Sequence, residues 1–163
     1  MTITFPDRWI ISKGYASWIE EVWKNYINNA VKYGGSPTKM EFGCEYITLK
    51  GKTESVKYWL KDYGPGISKK NQKLIFNKFE RLDQAKATGH GLGLSIVRRI
   101  IEKLDGTAGV ESELGKGSTV YFTLPFKKVI KDEVLKTPPD TKLLSKKTLI
   151  VEDDIASNIY LSL

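Results

Sequence analysis

Apolar residues fall into two rhythms along this chain. Ile19, Val22, Trp23, Tyr26, Ile27, Ala30 and Val31 recur at three- and four-residue intervals, the spacing of a single stripe on an α-helix that faces a core. Ser17 with Glu20 three residues on predicts a capping box at the start of that helix, and Gly34 predicts its stop. A second helix is predicted where Leu94, Val97, Ile100, Ile101 and Leu104 share one face and Gly106 follows. A weaker helical pattern covers residues 69–76. Short runs rich in β-branched and aromatic residues predict strands near 3–5, 41–50, 55–61, 109–112 and 118–124. Helices interleaved with adjacent strand pairs imply the α/β class, a sandwich with a mainly antiparallel sheet.

The periodicity fails after residue 126. Residues 127–147 read as a linker, because apolar spacing is poor and Pro138-Pro139 blocks helix continuation. Beyond it, residues 149–151 read as a buried strand that runs into Glu152, Asp153 and Asp154 and then a helix start. A length of 163 residues suits one core with an appendage. No apolar run approaches the ~20 residues needed to cross a bilayer, so no membrane contact is expected. The first residues lack the basic start and apolar stretch of a secretory signal, and Cys44, the single cysteine, allows no intrachain disulfide. A cytoplasmic setting is the expectation.

Charge changes the picture less than its sum suggests. The net +7 divides into +6 over residues 1–126, +4 over 127–147 and −3 over 148–163. The excess is diffuse apart from the lysines of the linker, and no recognised DNA or RNA motif accompanies it. A solvated basic surface is expected rather than a nucleic-acid interface.

Three segments carry candidate chemistry. On the polar arc of the first helix Glu21, Asn25 and Asn29 stand four residues apart, with Lys32 three further on, so all four project from one face. Asparagine is a poor interior helix former, yet Asn25, Asn28 and Asn29 crowd two turns. Amide oxygens can coordinate Mg²⁺ and a lysine can meet phosphate; a merely wet face is the alternative. The second segment is the run from Tyr58 to Ile67, in which a strand ends at Asp62 and turns through Gly64 and Gly66. A carboxylate there is placed to accept from an exocyclic amine, and Gly66 would let a flat ring approach; an ordinary Asp-initiated turn is the alternative. The third is Gly89-His90-Gly91-Leu92-Gly93, which leads into a helix. Backbone N–H groups at a helix start can hold an anion, although such loops are often only connectors. It matches neither the dinucleotide fingerprint nor a P-loop.

Order and spacing together resemble a family. Glu21-x-x-x-Asn25-x-x-x-Asn29-Ala-x-Lys32-Tyr33, Asp62-x-Gly64-x-Gly66-Ile67, Phe76-x-x-Phe79-x-Arg81, Gly89-x-Gly91-Leu-Gly93 and Gly115-x-Gly117-Ser-Thr119 are similar to the N, G1, F, G2 and G3 boxes of the histidine-kinase ATPase domain. The resemblance covers about residues 1–126. It implies the Bergerat fold, a two-layer α/β sandwich whose mixed, mainly antiparallel sheet is covered by helices on one face. It also implies ATP and Mg²⁺ as cofactors. Asn29 would hold Mg²⁺ with the triphosphate, Asn25 would support it, and Lys32 and Arg81 would meet phosphates. Asp62 would accept the adenine amino group directly and through water, with Gly64, Gly66 and Ile67 lining the nucleotide and Thr119 near that water. Tyr33 would lie beside the adenosine or in the core. Gly89, His90, Gly91, Leu92 and Gly93 would close as a lid. Glu21 matches the general base of the wider superfamily, which includes gyrase and heat-shock-90 chaperones. In a kinase it would help to deprotonate the acceptor histidine.

The implied activity is transfer of the γ-phosphoryl group of ATP to a histidine. His90 is the only histidine, and as a lid residue it is not expected to be the acceptor. The resemblance therefore implies an acceptor on a histidine-bearing dimerisation domain of the parent protein, before residue 1. Residues 148–163 resemble the start of a receiver domain, with Asp153 and Asp154 as the Mg²⁺-binding acidic pair of a remnant that cannot function alone. A hybrid kinase relaying phosphate to a receiver domain or response regulator is thus implied. The alternative is a superfamily ATPase or chaperone without kinase activity.

Overall fold

The computed structural model describes residues 1–12, 14–77 and 92–126, and the backbone of two short strands beyond them. Three helices, α1 (Ala16–Tyr33), α2 (Lys69–Gln72) and α3 (Gly93–Lys103), accompany one five-stranded sheet. Its strands are β1 (Thr2–Thr4), β2 (Lys39–Leu49), β3 (Lys52–Asp62), β4 (Ala108–Glu113) and β5 (Gly117–Pro125), in the order β1-β2-β3-β5-β4. β1 runs parallel to β2 and every other pairing is antiparallel, so the sheet is mixed and mainly antiparallel, as the pattern predicts. α1 and α3 pack on each other and against β3, β4 and β5.

Alternation along the strands decides what is covered. Met40, Phe42, Val56, Tyr58, Leu60, Val120, Phe122 and Leu124 are buried and meet Ile19, Val22, Trp23, Tyr26 and Ala30 of α1 and Val97 and Ile101 of α3 in one cluster. Each such side chain contributes roughly 1.5–3 kcal/mol on leaving water. Phe122 lies at the centre, with the rings of Trp23, Tyr26 and Tyr58 at 5.3, 6.3 and 5.2 Å. The Tyr26 hydroxyl donates to the Tyr121 carbonyl at 2.9 Å, so its burial leaves no orphan donor. The intervening residues face the other way. There Trp59 lies over Gly43, where a Cβ would sit 2.1 Å from its ring, and Tyr121 lies over Gly109 in the same manner. The β2–β3 hairpin closes through Lys50 (φ 48°) and Gly51 (φ 76°), the double left-handed turn that matches strand twist.

Local departures from the expected pattern have physical causes. Ser17 is not the N-cap. Tyr15 takes that position with extended backbone and no side-chain cap, its carbonyl already accepts from Ile19 N at 3.0 Å, and buried Ala16 pulls the first turn onto the core. Val31 is 51% exposed, because a residue about 100° round the helix from buried Ala30 has left the covered arc. The helix expected over 69–76 is the single turn α2, capped by Ser68, whose hydroxyl accepts from Asn71 N; Ile75 and Phe76 are buried beyond it.

Farther on, β6 (Thr148–Ile150) pairs antiparallel with β7 (Tyr160–Ser162), one residue before the strand expected at 149–151. The expected linker 127–147 and the acidic pair Asp153 and Asp154 lie outside the described residues.

Candidate functional site

α1 delivers its polar arc as the spacing requires. The Asn25 amide Nδ2 donates to the Glu21 carbonyl at 2.8 Å and to Glu21 Oε1 at 2.9 Å, so Asn25 holds the carboxylate one turn earlier against the helix. Its Oδ1 faces the start of α3, where a Cβ on Gly93 would lie 2.3 Å from it. Glycine at 93 leaves room for this pose of the Asn25 amide. Asn29, one turn beyond, is half-buried, and its side chain makes no hydrogen bond with the described residues. Glu21, Lys32 and Tyr33 are exposed. Tyr33, at 45% exposure, is not a core residue.

The Asp62 turn docks on the far end of this helix. A Cβ on Gly64 would meet the Tyr33 carbonyl at 2.5 Å and Gly34 Cα at 2.9 Å, and one on Gly34 would lie 3.2 Å from Asp62 Cβ. Glycine at both positions brings the turn onto the helix C-terminus. Asp62 Oδ1 accepts from Gly64 N at 2.9 Å and from Ser118 N at 3.2 Å. Those two donors saturate one oxygen and leave Oδ2 for a ligand. Burial raises the Asp62 carboxyl above its ordinary value, and the two backbone donors pull it back. The site therefore offers a half-buried acceptor at the C-terminal end of a helix whose polar arc carries half-buried amides and an exposed carboxylate and ammonium.

One expectation needs correction. Thr119 pairs with Lys61 on β3 and Glu111 on β4, one position out of phase with buried Ser118 and Val120, so it belongs to the face opposite the helices. Ser118 is the residue that reaches Asp62. The sequence contained the signal: Val120, Phe122 and Leu124 mark the core face, and a period of two puts position 118, not 119, with them. Gly66 is also required by the backbone itself. Its φ is +74°, and a Cβ would lie 2.0 Å from the Glu113 carbonyl, so it presses the turn onto the β4–β5 hairpin. Ile67 is half-buried at the end of the turn. Leu92 precedes α3, and its carbonyl accepts from Ser95 Oγ at 2.8 Å. Arg81, Phe79, Gly89, His90 and Gly91 lie outside the described residues.

Among the described residues no group of three or more His, Cys, Asp or Glu side chains could cage a metal. Mg²⁺ does not require one, since it keeps several waters and binds through one or two protein oxygens plus substrate phosphates. The unengaged amide of Asn29 suits that role. No helix of the described residues is long and apolar enough to cross a membrane.

Residues 14–128 match the family described as histidine kinase-, DNA gyrase B-, and HSP90-like ATPase. The chain is 34% identical over 131 residues to the sensor histidine kinase WalK of Bacillus subtilis (strain 168), covering 78% of this chain and 21% of that protein. Among solved structures, it is similar to the catalytic domain of histidine kinase ThkA (TM-score 0.62, 26% identity, 76% of this chain and 78% of that one). It is also similar to full-length ShkA in complex with AMPPNP (TM-score 0.58, 29% identity, 69% of this chain and 22% of that one). The chain thus spans about a fifth of the length of WalK.

Proposed function

Because this chain belongs to the histidine kinase-, DNA gyrase B-, and HSP90-like ATPase family, we propose that residues 1–126 bind ATP as the catalytic domain of a sensor histidine kinase. The observation that carries this reading is the Asp62 carboxylate. It is half-buried, one oxygen is satisfied by two backbone donors, and the other is left to accept the adenine amino group. Such an acceptor rejects a base that presents a carbonyl at that position, because two acceptors would then meet without a proton.

The phosphates extend along α1. Lys32 supplies positive charge, and Asn29 holds Mg²⁺, which when bound neutralises phosphate oxygens. By the resemblance, Arg81 would meet the terminal phosphates and Gly89 to Gly93 would close as a lid, and Tyr33 flanks the adenosine. Phosphoryl transfer asks mainly for in-line positioning and charge neutralisation. An imidazole nitrogen of the acceptor histidine forms the new bond to the γ-phosphorus, the bond to the bridging oxygen breaks, and ADP leaves. Glu21, held by Asn25 at 2.9 Å, accepts the imidazole proton. The acceptor belongs to a histidine-bearing dimerisation domain of the parent, from which a receiver aspartate takes the phosphoryl group onward in the cytoplasm. Residues 148–163 begin a receiver domain, with Asp153 and Asp154 as its acidic pair.

Calorimetric titration of Mg-ATP into the wild type and Asp62→Ala tests the site: affinity falls on the order of 100-fold in the variant, the loss expected for a hydrogen bond to a charged group. Equal binding by both sinks the assignment. Supplying a histidine-bearing helix pair in trans with γ-labelled ATP tests the chemistry. Label on the histidine supports a kinase, and ATP turnover with no labelled histidine indicates a plain ATPase.

A further inference from the structure

The turn from Asp62 to Ile67 is clamped at both ends, and the clamp at its exit comes from two side chains outside all five motifs. At the entry, Asp62 Oδ1 takes the N–H groups of Gly64 and Ser118. At the exit, Ser112 Oγ accepts from Ile67 N at 2.7 Å, donates to the Gly117 carbonyl at 2.8 Å, and lies 3.0 Å from Ser118 Oγ. Gln72 Nε2 donates to the Ile67 carbonyl at 2.7 Å and to the Ser112 carbonyl at 2.8 Å. Both backbone groups of Ile67 are therefore satisfied by side chains, in a segment that belongs to no helix or strand. In between, Gly115 N donates to the Pro65 carbonyl at 2.8 Å.

We propose that Ser112 and Gln72 are positioning residues for the purine end of the nucleotide site, holding the 62–67 turn so that Asp62 presents its free oxygen. The proposal rests on the ATP reading above. Position 112 pairs with Ser118 across β4 and β5, on the face that carries Val110 and Val120. An apolar side chain would satisfy packing there. A hydroxyl that accepts and donates at once satisfies the turn and β5 together. Gln72 supplies the reverse complement, two N–H donors aimed at two carbonyls. None of the hydrogen bonds of either side chain reaches α1, so their influence is confined to the base-binding end.

The test uses the whole chain with Ser112→Ala, Ser112→Thr and Gln72→Met, read by Mg-ATP calorimetry and by amide hydrogen exchange. Affinity falls about 10-fold in Ser112→Ala and Gln72→Met, as expected for one lost buried hydrogen-bond network, and Ser112→Thr recovers it. Exchange protection of Gly64 and Ser118 N–H drops while that of β2 and β3 is kept. Affinities within about twofold of wild type in both variants overturn the proposal. So does a loss of protection spread evenly over the sheet, which marks general destabilisation. If Ser112→Ala does not fold, Gln72→Met and Ser112→Thr decide the matter. Loss of binding in Asp62→Ala with retention in Gln72→Met and Ser112→Ala defeats the positioning role alone, and retention in Asp62→Ala defeats the ATP site with it.

Discussion

The 62–67 turn and the polar arc of α1 meet where Gly64 packs against Tyr33 and Gly34, yet they are made of different material. The turn is shaped by backbone: a left-handed glycine at 66, a carboxylate bonded to two amides, and a hairpin pressed against it. The arc is shaped by side chains on a regular helix, of which Asn25 alone shows a hydrogen-bonded pose on its own helix, through Glu21, while Asn29 waits at half burial. On the proposed reading the base-recognising end is held by these backbone contacts before ligand arrives, and the phosphate end would be completed by the cation and the triphosphate. A rigid acceptor costs little entropy on binding and discriminates sharply. Exposed charges attract an anion from a distance and tolerate movement during transfer.

The largest effect belongs to the backbone. Gly66→Ala places a Cβ into the Glu113 carbonyl at a φ that side chains avoid, and is expected to cost about 3 kcal/mol or more of stability, read by denaturant unfolding. A variant as stable as wild type would erase the contrast between the two regions. Asn29→Ala acts on the other region and only through the cation: Mg-ATP affinity falls roughly 10-fold, while binding measured in excess chelator does not change. Loss under both conditions would give Asn29 a structural part instead.

The smallest effect sharpens the meaning of Asp62. Its carboxyl is raised by burial, so ionisation is harder in the folded chain than in the unfolded one. The corresponding stability is fully present below the ordinary value of 3.8 and declines as pH rises through the folded value. Asp62→Asn keeps an acceptor for Gly64 and Ser118 and has no charge to desolvate. The ligand-free variant is expected to melt about 1–2 °C higher than wild type at pH 7, with the gap closing near pH 4, while binding ATP poorly. Scanning calorimetry at the two pH values checks this, and a lower melting temperature at pH 7 would mean the charge itself stabilises the turn.

Much of this was legible before any coordinates. The stripe from Ile19 to Ala30, the alternation in β5 and the glycines at 34, 64 and 66 imposed helix, strand and turn through local periodicity and steric permission, and the spacing of Glu21, Asn25, Asn29 and Lys32 settled that they share a face. Capping was less legible: Ser17 has the right chemistry, but burial of Ala16 moved the first turn earlier. The family resemblance puts Thr119 near the water beside Asp62, whereas strand phase gives that side of β5 to Ser118.

What the sequence alone determined is the set of parts and the face each presents, since helix and strand periods depend on near neighbours. Which parts touch was decided by tertiary structure. The burial that raises Asp62, the approach of Gly93 to Asn25, and the closing of the Ser112 hydroxyl on Ile67 and of the Gln72 amide on the Ser112 carbonyl all join positions tens of residues apart. Such contacts arise when one core is packed, because only then are buried donors and acceptors forced to find each other.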